Sequence, residues 1–289
     1  MNNTVIQTLA FRQQARIMFV ENTELIGALC RRHPPHPLLR LTLGQTVSAA
    51  SLIAGMLKGD ERLSVVITAT NSQYRIYTDV EAAGHVRGYL SEALLAAPWD
   101  ACNREGNGFR TLIGDRGSIR VAKHIGLDRA FTGITDMPYG SVEANLSHYY
   151  RQSEQTATWF HLDIQFDEDG EVSSSRGILA QLLPGAPGGL LDQIRQAIAH
   201  RGLESHLSSS RRTPILEWPF SVFEDIRIVG TLPVQLFCVC SKEALMPLLH
   251  GLGGETLRSA CDRGEDMEIA CSICGSRYRY SPQEIGRLL

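Results

Sequence analysis

The chain has 289 residues, 43% of them apolar and 20% charged, with a formal net charge of −3 and a sequence isoelectric point of about 6.3. This much apolar material can bury a large core and a smaller second one, so bulk disorder is excluded. No overall basic field exists to condense on nucleic acid or an anionic membrane, and neither is expected as a partner.

In chain order, "MNNTVIQTLAFRQQARIMFV" has its apolar residues interrupted by Gln7, Arg12, Gln13, Gln14 and Arg16 and does not read as a secretory signal. Nowhere does the chain reach the roughly 18 apolar residues of a membrane span, so a cytoplasmic protein is expected. In that reducing compartment, grouped cysteines point to metal ligands or redox centres rather than structural disulfides. His33 and His36 in "RHPPHP" stand three apart, but the prolines argue for a turn and no carboxylate accompanies them.

From Leu41 to Leu57, Leu43, Val47, Ala50, Ile53, Ala54 and Leu57 recur at helical spacing among small residues, which predicts a closely packed core helix. "LSVVITAT", "YRIYTDV" and "GHVRGYL" follow as strands rich in β-branched and aromatic residues, most economically an antiparallel sheet. "GDRGSIRVAKHIG" and "WFHLDIQFDEDGEV" add further strands, and "VEANLSHYYRQSEQ" carries helical spacing at Val142, Leu146 and Tyr149. Without regular βαβ alternation, the pattern is α+β, a large N-terminal domain of mainly antiparallel sheet and packed helices.

After the break at "LPGAPGG", "LLDQIRQAIAHRG" is a helix with Leu190, Leu191, Ile194, Ala197 and Ile198 on one face and Gly202 as its stop. The next stretch begins as a linker, with a serine run and Arg211-Arg212, yet continues with Ile215, Leu216, Trp218, Phe220, Phe223, Ile226 and Ile228. So much apolar surface must pack against something. It reads either as ordinary core or as a docked segment whose release uncovers a sticky surface.

Cys238 and Cys240 form C-x-C, and thirty residues later Cys271 and Cys274 form C-x-x-C. Four thiolates so paired can close a tetrahedral Zn²⁺ shell at about 2.3 Å, which is not the open site of a hydrolytic enzyme. A purely structural zinc ribbon and a redox sensor both remain open on spacing alone. Thiol–disulfide exchange is disfavoured, because Cys271 follows a strand pattern rather than opening a helix.

The tail from "FCVCSKEALM" to "CSICGSRYRYSPQEI" resembles the zinc-binding domain of the thirty-three-kilodalton heat-shock protein family, the redox-regulated holdase chaperones. Upstream, "RHPPHPLLRLTLGQTVSAASLIAGMLKGDERL", "HVRGYL", "YGSVEANLSHYYRQSEQ" and "ILAQLLPGAP" are similar to that family's N-terminal domain, in the same order. The resemblance implies a single Zn²⁺ held by Cys238, Cys240, Cys271 and Cys274, and oxidation to the disulfides Cys238–Cys240 and Cys271–Cys274 with loss of the metal. It further implies unfolding of the zinc domain and the preceding linker, ATP-independent capture of unfolded client proteins, hand-off to an ATP-dependent chaperone system, and a homodimer when oxidised.

Three regions follow: an N-terminal chaperone domain over 1–187, a helical and apolar linker over 188–232, and a zinc-binding redox-switch domain over 233–289. Trp218, Phe220, Phe223, Ile226 and Ile228 are the candidate client-binding residues. The chain is expected not to be an enzyme, since H-E-x-x-H, G-x-S-x-G and Walker-type sequences are all missing from it. The alternative is a constitutive protein-binding module with a structural zinc ribbon. Two departures from the family pattern stand out: Pro247 lies within the helix expected after Ser241, and Cys261 is an extra thiol between the pairs. Cys30 and Cys102 are expected to be structural.

Overall fold

The computed structural model describes residues 3–32, 36–99, 108–126, 129–200, 214–271, 273 and 276–289. Gly202, Arg211, Arg212, His33, Cys102 and Cys274 lie outside the described residues. The chain divides into two compact units, Met1–Leu236 and Phe237–Leu289.

The first unit opens with β1 (Thr4–Ala10) and β2 (Ala15–Glu21), then α1 (Thr23–Arg31) and α2 (Pro37–Ala54). β3 (Arg62–Thr68), β4 (Arg75–Glu81) and β5 (His85–Leu90) follow, then α3 (Glu92–Ala96) and α4 (Gly108–Ile113). β6 (Ser118–His124), β7 (Ala130–Asp136), α5 (Val142–Gln152), β8 (Thr158–Phe166), β9 (Val172–Leu182) and α6 (Leu190–His200) complete its middle. Residues 188–232, expected as linker, supply α6, a 3-10 turn at Ile215–Glu217, α7 (Trp218–Val222) and most of β10 (Ile226–Pro233); β11 (Gln235–Leu236) ends the unit.

Two sheets result, in the orders β10-β1-β2-β9-β8 and β11-β5-β4-β3-β6-β7. Every pairing is antiparallel except β11 with β5, so the architecture is α+β with mainly antiparallel sheet. The core helix runs over Pro37–Ala54 rather than from Leu41 to Leu57, because Pro37 is preset for the first helical position and the helix ends at Gly55. It lies between the sheets: Val47 and Leu43 meet β5 at Gly88, and Leu52 meets β9 at Gly177. Burial on both sides explains why 13 of its 18 residues are buried, Thr42, Thr46, Ser48 and Ser51 among them. Their hydroxyls are satisfied locally or through Asn22: Ser51 Oγ donates to the Val47 carbonyl at 2.9 Å, and Ser48 Oγ donates to Asn22 Oδ1 at 3.3 Å.

The five-stranded sheet is buried on both faces. Val5, Met18, Val20 and Leu179 face α2, whereas Ile6, Ile17, Phe19, Ile178 and Ala180 face the opposite way, against Ile194 of α6 and Ile215, Trp218, Val222 and Phe223. The β1–β2 turn carries Phe11, Arg12 and Gln13 at φ 54°, 53° and 66°, a left-handed run that non-glycine residues disfavour. Asp225 clasps it, accepting from Phe11 N at 3.2 Å through its carbonyl and from Arg12 N at 2.8 Å through its carboxylate.

The second unit is built of α8 (Lys242–Leu245), α9 (Pro247–His250), α10 (Gly254–Arg263), the hairpin β12 (Met267–Ala270) and β13 (Arg277–Tyr280), and α11 (Pro282–Gly286). Ser241 caps α8 by accepting from Ala244 N at 3.1 Å. Pro247 ends that helix as expected and serves as the first residue of the next one. Among the described residues its buried apolar cluster is Leu249, Leu257, Tyr280 and Ile285, with partly buried neighbours.

Two stability predictions follow from this packing. A Cβ at Gly88 would collide with Val47 Cγ2 and approach Leu43 Cδ1 to 3.3 Å, so Gly88→Ala is expected to destabilise the first unit by about 1–3 kcal/mol in urea unfolding; an unchanged midpoint would show that α2 yields freely. Leu257→Ala should cost the second unit about 2–5 kcal/mol. Amide exchange should then quicken over 242–289 while β1–β9 keep their protection, and uniform loosening of both units would contradict separate cores.

Candidate metal centre

Cys238 and Cys240 open the second unit, and Cys271 follows β12 at the hairpin's turn. The hairpin register, Met267 with Tyr280 through Ala270 with Arg277, brings Cys271 opposite Ser276, and Cys271 N donates to the Ser276 carbonyl at 2.8 Å. The Sγ atoms of Cys238, Cys240 and Cys271 lie within 4.8 Å of one another, and those of Cys238 and Cys271 are 3.6 Å apart. A disulfide would need about 2.0 Å, whereas ligand sulfurs at about 2.3 Å from a tetrahedral ion stand roughly 3.8 Å apart.

Among the described residues, these three are the cluster that could hold a metal ion. Cys271 is buried, and Cys238 and Cys240 are half-buried. Three convergent sulfurs form a soft donor set suited to an ion such as Zn²⁺, which as a closed structural site contributes cross-linking rather than catalysis. Cys274, the fourth ligand expected from C-x-x-C, lies outside the described residues.

Side chains not singled out from sequence hold this arrangement. Tyr278 Oη lies 3.3 Å from Cys240 Sγ and donates to the Cys240 carbonyl at 3.1 Å. Tyr280, two residues on and thus on the same strand face, donates to the Lys242 carbonyl at 2.7 Å. Lys242 Nζ pairs with Glu284 at 2.6 Å and sits 5.4 Å from the Tyr280 ring centroid. Hydrogen bonds from Lys242 and from the Ser281 backbone hold the Glu284 carboxyl down to about 2, and Ser281 and Glu284 form a capping box on α11. The alternating "RYRY" therefore turns Tyr278 and Tyr280 towards the cysteine-bearing strand, while exposed Arg277 and Arg279 reach Glu268 at 2.8 and 3.3 Å.

The other candidates sit elsewhere. Cys261, on α10, donates its thiol proton to the Pro282 carbonyl at 3.3 Å. Cys30 is buried in the first unit, and burial pushes its thiol up to about 11. His36 packs 5.8 Å from Trp99, and burial lowers its imidazole. Of the proposed client-binding residues, all in the first unit, Trp218, Phe223 and Ile226 are buried, Ile228 is half-buried and Phe220 is 57% exposed. Arg176 lies 5.2 Å from the Trp218 ring centroid, a cation–π contact beneath the covering segment.

The 33 kDa chaperonins of Staphylococcus aureus strains Newman and USA300 are 29% identical over 287 residues, spanning 99% of this chain and 97% of theirs. The fold is similar to the crystal structure of the 33 kDa chaperonin of Thermotoga maritima, with a TM-score of 0.83 and 22% identity, covering 100% of this chain and 98% of that one. Residues 3–281 match the model of the Hsp33 protein family. The chain belongs to the Hsp33 family.

Proposed function

We propose that this protein is an ATP-independent holdase chaperone that binds unfolding proteins after its cysteines are oxidised and a Zn²⁺ ion is released. The convergence of Cys238, Cys240 and Cys271 in a unit with a small buried apolar cluster carries this reading. When bound, Zn²⁺ cross-links Cys238 and Cys240 to Cys271 and Cys274, and in small zinc peptides such binding is worth about 10–16 kcal/mol, against about 5–15 kcal/mol for the stability of a whole domain. A unit with so small a core depends on that cross-link.

Oxidation removes the ligands. Each pair of thiols gives two electrons and two protons to one peroxide, forming a disulfide and two waters. Pairing Cys238 with Cys240 and Cys271 with Cys274 closes only short loops and restores none of the linkage between the two halves of the unit. The tail then unfolds, and the chain immediately before it, β10 and β11, loses its anchored end.

Residues 188–232 act in this proposal as the releasable linker. The segment from Ile215 to Ile226 covers Ile6, Ile17, Phe19, Ile178 and Ala180, so its departure bares a continuous apolar sheet face, and Trp218, Phe220, Phe223, Ile226 and Ile228 become available to clients. The left-handed Phe11–Gln13 backbone, held by Asp225, opposes docking and favours departure. The same surface supports a homodimer in the oxidised state and later transfer of clients to an ATP-dependent chaperone system.

Zinc release, free thiols and suppression of aggregation of a heat-unfolded client, measured before and after peroxide with mild heat, test the proposal. Suppression should rise with zinc loss. Activity equal in both states, or highest with zinc retained, would indicate a constitutive module with a structural ribbon. Trp218→Ala, which empties the largest buried side chain of the cover, should cost about 3–5 kcal/mol of docking; part of the client binding should then appear without oxidant, and a variant as silent as the parent would argue against that segment as the cover.

A further inference from the structure

The first unit also contains a cleft of about 550 Å³ walled by α5, β8 and α6, a volume within the range of about 300–1,000 Å³ typical of small-molecule sites. One wall is the Trp159 indole, stacked with the His161 ring at 5.7 Å between centroids and 17° between planes. The Arg195 guanidinium lies 5.9 Å from the indole centroid. Its bond to Asp192 is a long 3.7 Å contact between exposed side chains, readily exchanged for a ligand.

Arg151 stands in the α5 wall, already oriented. Its Nη2 donates to Tyr139 Oη at 3.2 Å and lies 3.4 Å from His148 Nδ1, while His148 Nε2 lies 2.9 Å from Asp136 Oδ1. That chain of bonds assigns the His148 proton to Nε2 and leaves Nδ1 to accept from Arg151. Glu143 is in the lining, and Asp192 and Asp136 stand beside it at Arg195 and His148, so the two guanidiniums are already largely compensated. Ala144, Ala157, Phe160, Leu191 and the indole give apolar surface, beside the hydroxyls of Ser141, Ser147 and Thr158.

We propose that this cleft binds a small aromatic monocarboxylate, its ring against Trp159 and its carboxylate between Arg151 and Arg195. Two guanidiniums already offset by nearby carboxylates, beside an indole, match a monoanion with a flat apolar body, since a polyphosphate would be poorly compensated there. Arg195 and Leu191 belong to α6, held to the sheet by Leu190, Ile194 and Ile198, whereas Arg151 and Trp159 belong to α5 and β8. The ligand therefore bridges α6 to the body of the unit and binds only while α6 is docked. Occupancy restrains the segment whose release the holdase reading requires; this regulatory consequence rests on that reading, and the binding does not.

The probe is 2-naphthoate, with uncharged 2-naphthamide as control, titrated by calorimetry into the reduced, zinc-loaded full chain. Naphthoate should bind with a Kd on the order of 0.1–1 mM, as suits so small a ligand, and at least ten-fold more tightly than the amide. Arg195→Gln, at a half-exposed position that should not impair folding, is expected to weaken naphthoate about ten-fold and leave the amide unaffected. At ten times Kd, amide exchange within α6 should slow about ten-fold. Equal binding of the two probes, or binding indifferent to Arg195→Gln, would overturn the site. Saturation without slower exchange in α6 would overturn the bridge. Each measurement uses the reduced chain, so failure of the oxidation switch leaves these results readable.

Discussion

The approach of three cysteine sulfurs from two distant stretches of chain is the constraint on which the second unit depends. The cluster of Leu249, Leu257, Tyr280 and Ile285 is a small core for a unit running from Phe237 to Leu289, and small units generally need a metal or disulfides in addition. Its hydrogen bonds reinforce the same junction. Tyr278 and Tyr280 tie the second hairpin strand to the carbonyls of Cys240 and Lys242, so the segment bearing the first cysteine pair is bound to the hairpin bearing the second. Separating the sulfurs would pull these tyrosines from their partners together.

The first unit is organised the opposite way, with apolar surface in excess. Placing α2 between two sheets consumes one face of each sheet, and the other face of the five-stranded sheet still carries Ile6, Ile17, Phe19 and Ile178. α6 and the turn-helix segment from Ile215 to Val222 form an additional layer over it. That layer packs its apolar side chains, Ile194, Ile198, Ile215, Trp218 and Val222 among them, against the sheet. Phe223 makes an edge contact with Phe11 at 5.6 Å, and Asp225 secures the turn beside it. Packing contacts of this kind can be lost without breaking the sheet's ladders, which suits a detachable cover.

Much of this was legible in the sequence where one face of an element is polar. β3 to β6 and β8 alternate, α5 and α6 carry helical spacing, and each forms as read. β1 and β2 were not read as strands, because a sheet buried on both faces loses its alternation and "ARIMFVE" becomes a nearly continuous apolar run. β10 was taken as linker for a different reason: its partner is β1, with Gly230 opposite Gln7, and no local pattern announces a partner so distant in the chain. The cysteine cluster was legible from spacing alone, as both pairs are short and rare. Tyr278 was not, since its role depends on which way β13 faces. The α5–β8–α6 cleft draws on residues from Tyr139 to Arg195, spread over three elements whose approach no local spacing announces.

Cys261 illustrates how the folded unit can discriminate among its thiols. Its proton is engaged by the Pro282 carbonyl, and its side chain packs beside the small core rather than among the clustered sulfurs. A thiol holding its proton in a hydrogen bond is a poor nucleophile, because the thiolate is the reactive species. A metal held by Cys238, Cys240 and Cys271 would keep them as thiolates and so concentrate charge there. Only when α10 and α11 separate does Cys261 lose its acceptor. By then near-neighbour partners compete at higher effective concentration, with one residue between Cys238 and Cys240 and two between Cys271 and Cys274. The extra thiol is thus disfavoured twice, by its hydrogen bond while the unit is folded and by loop length once it is not.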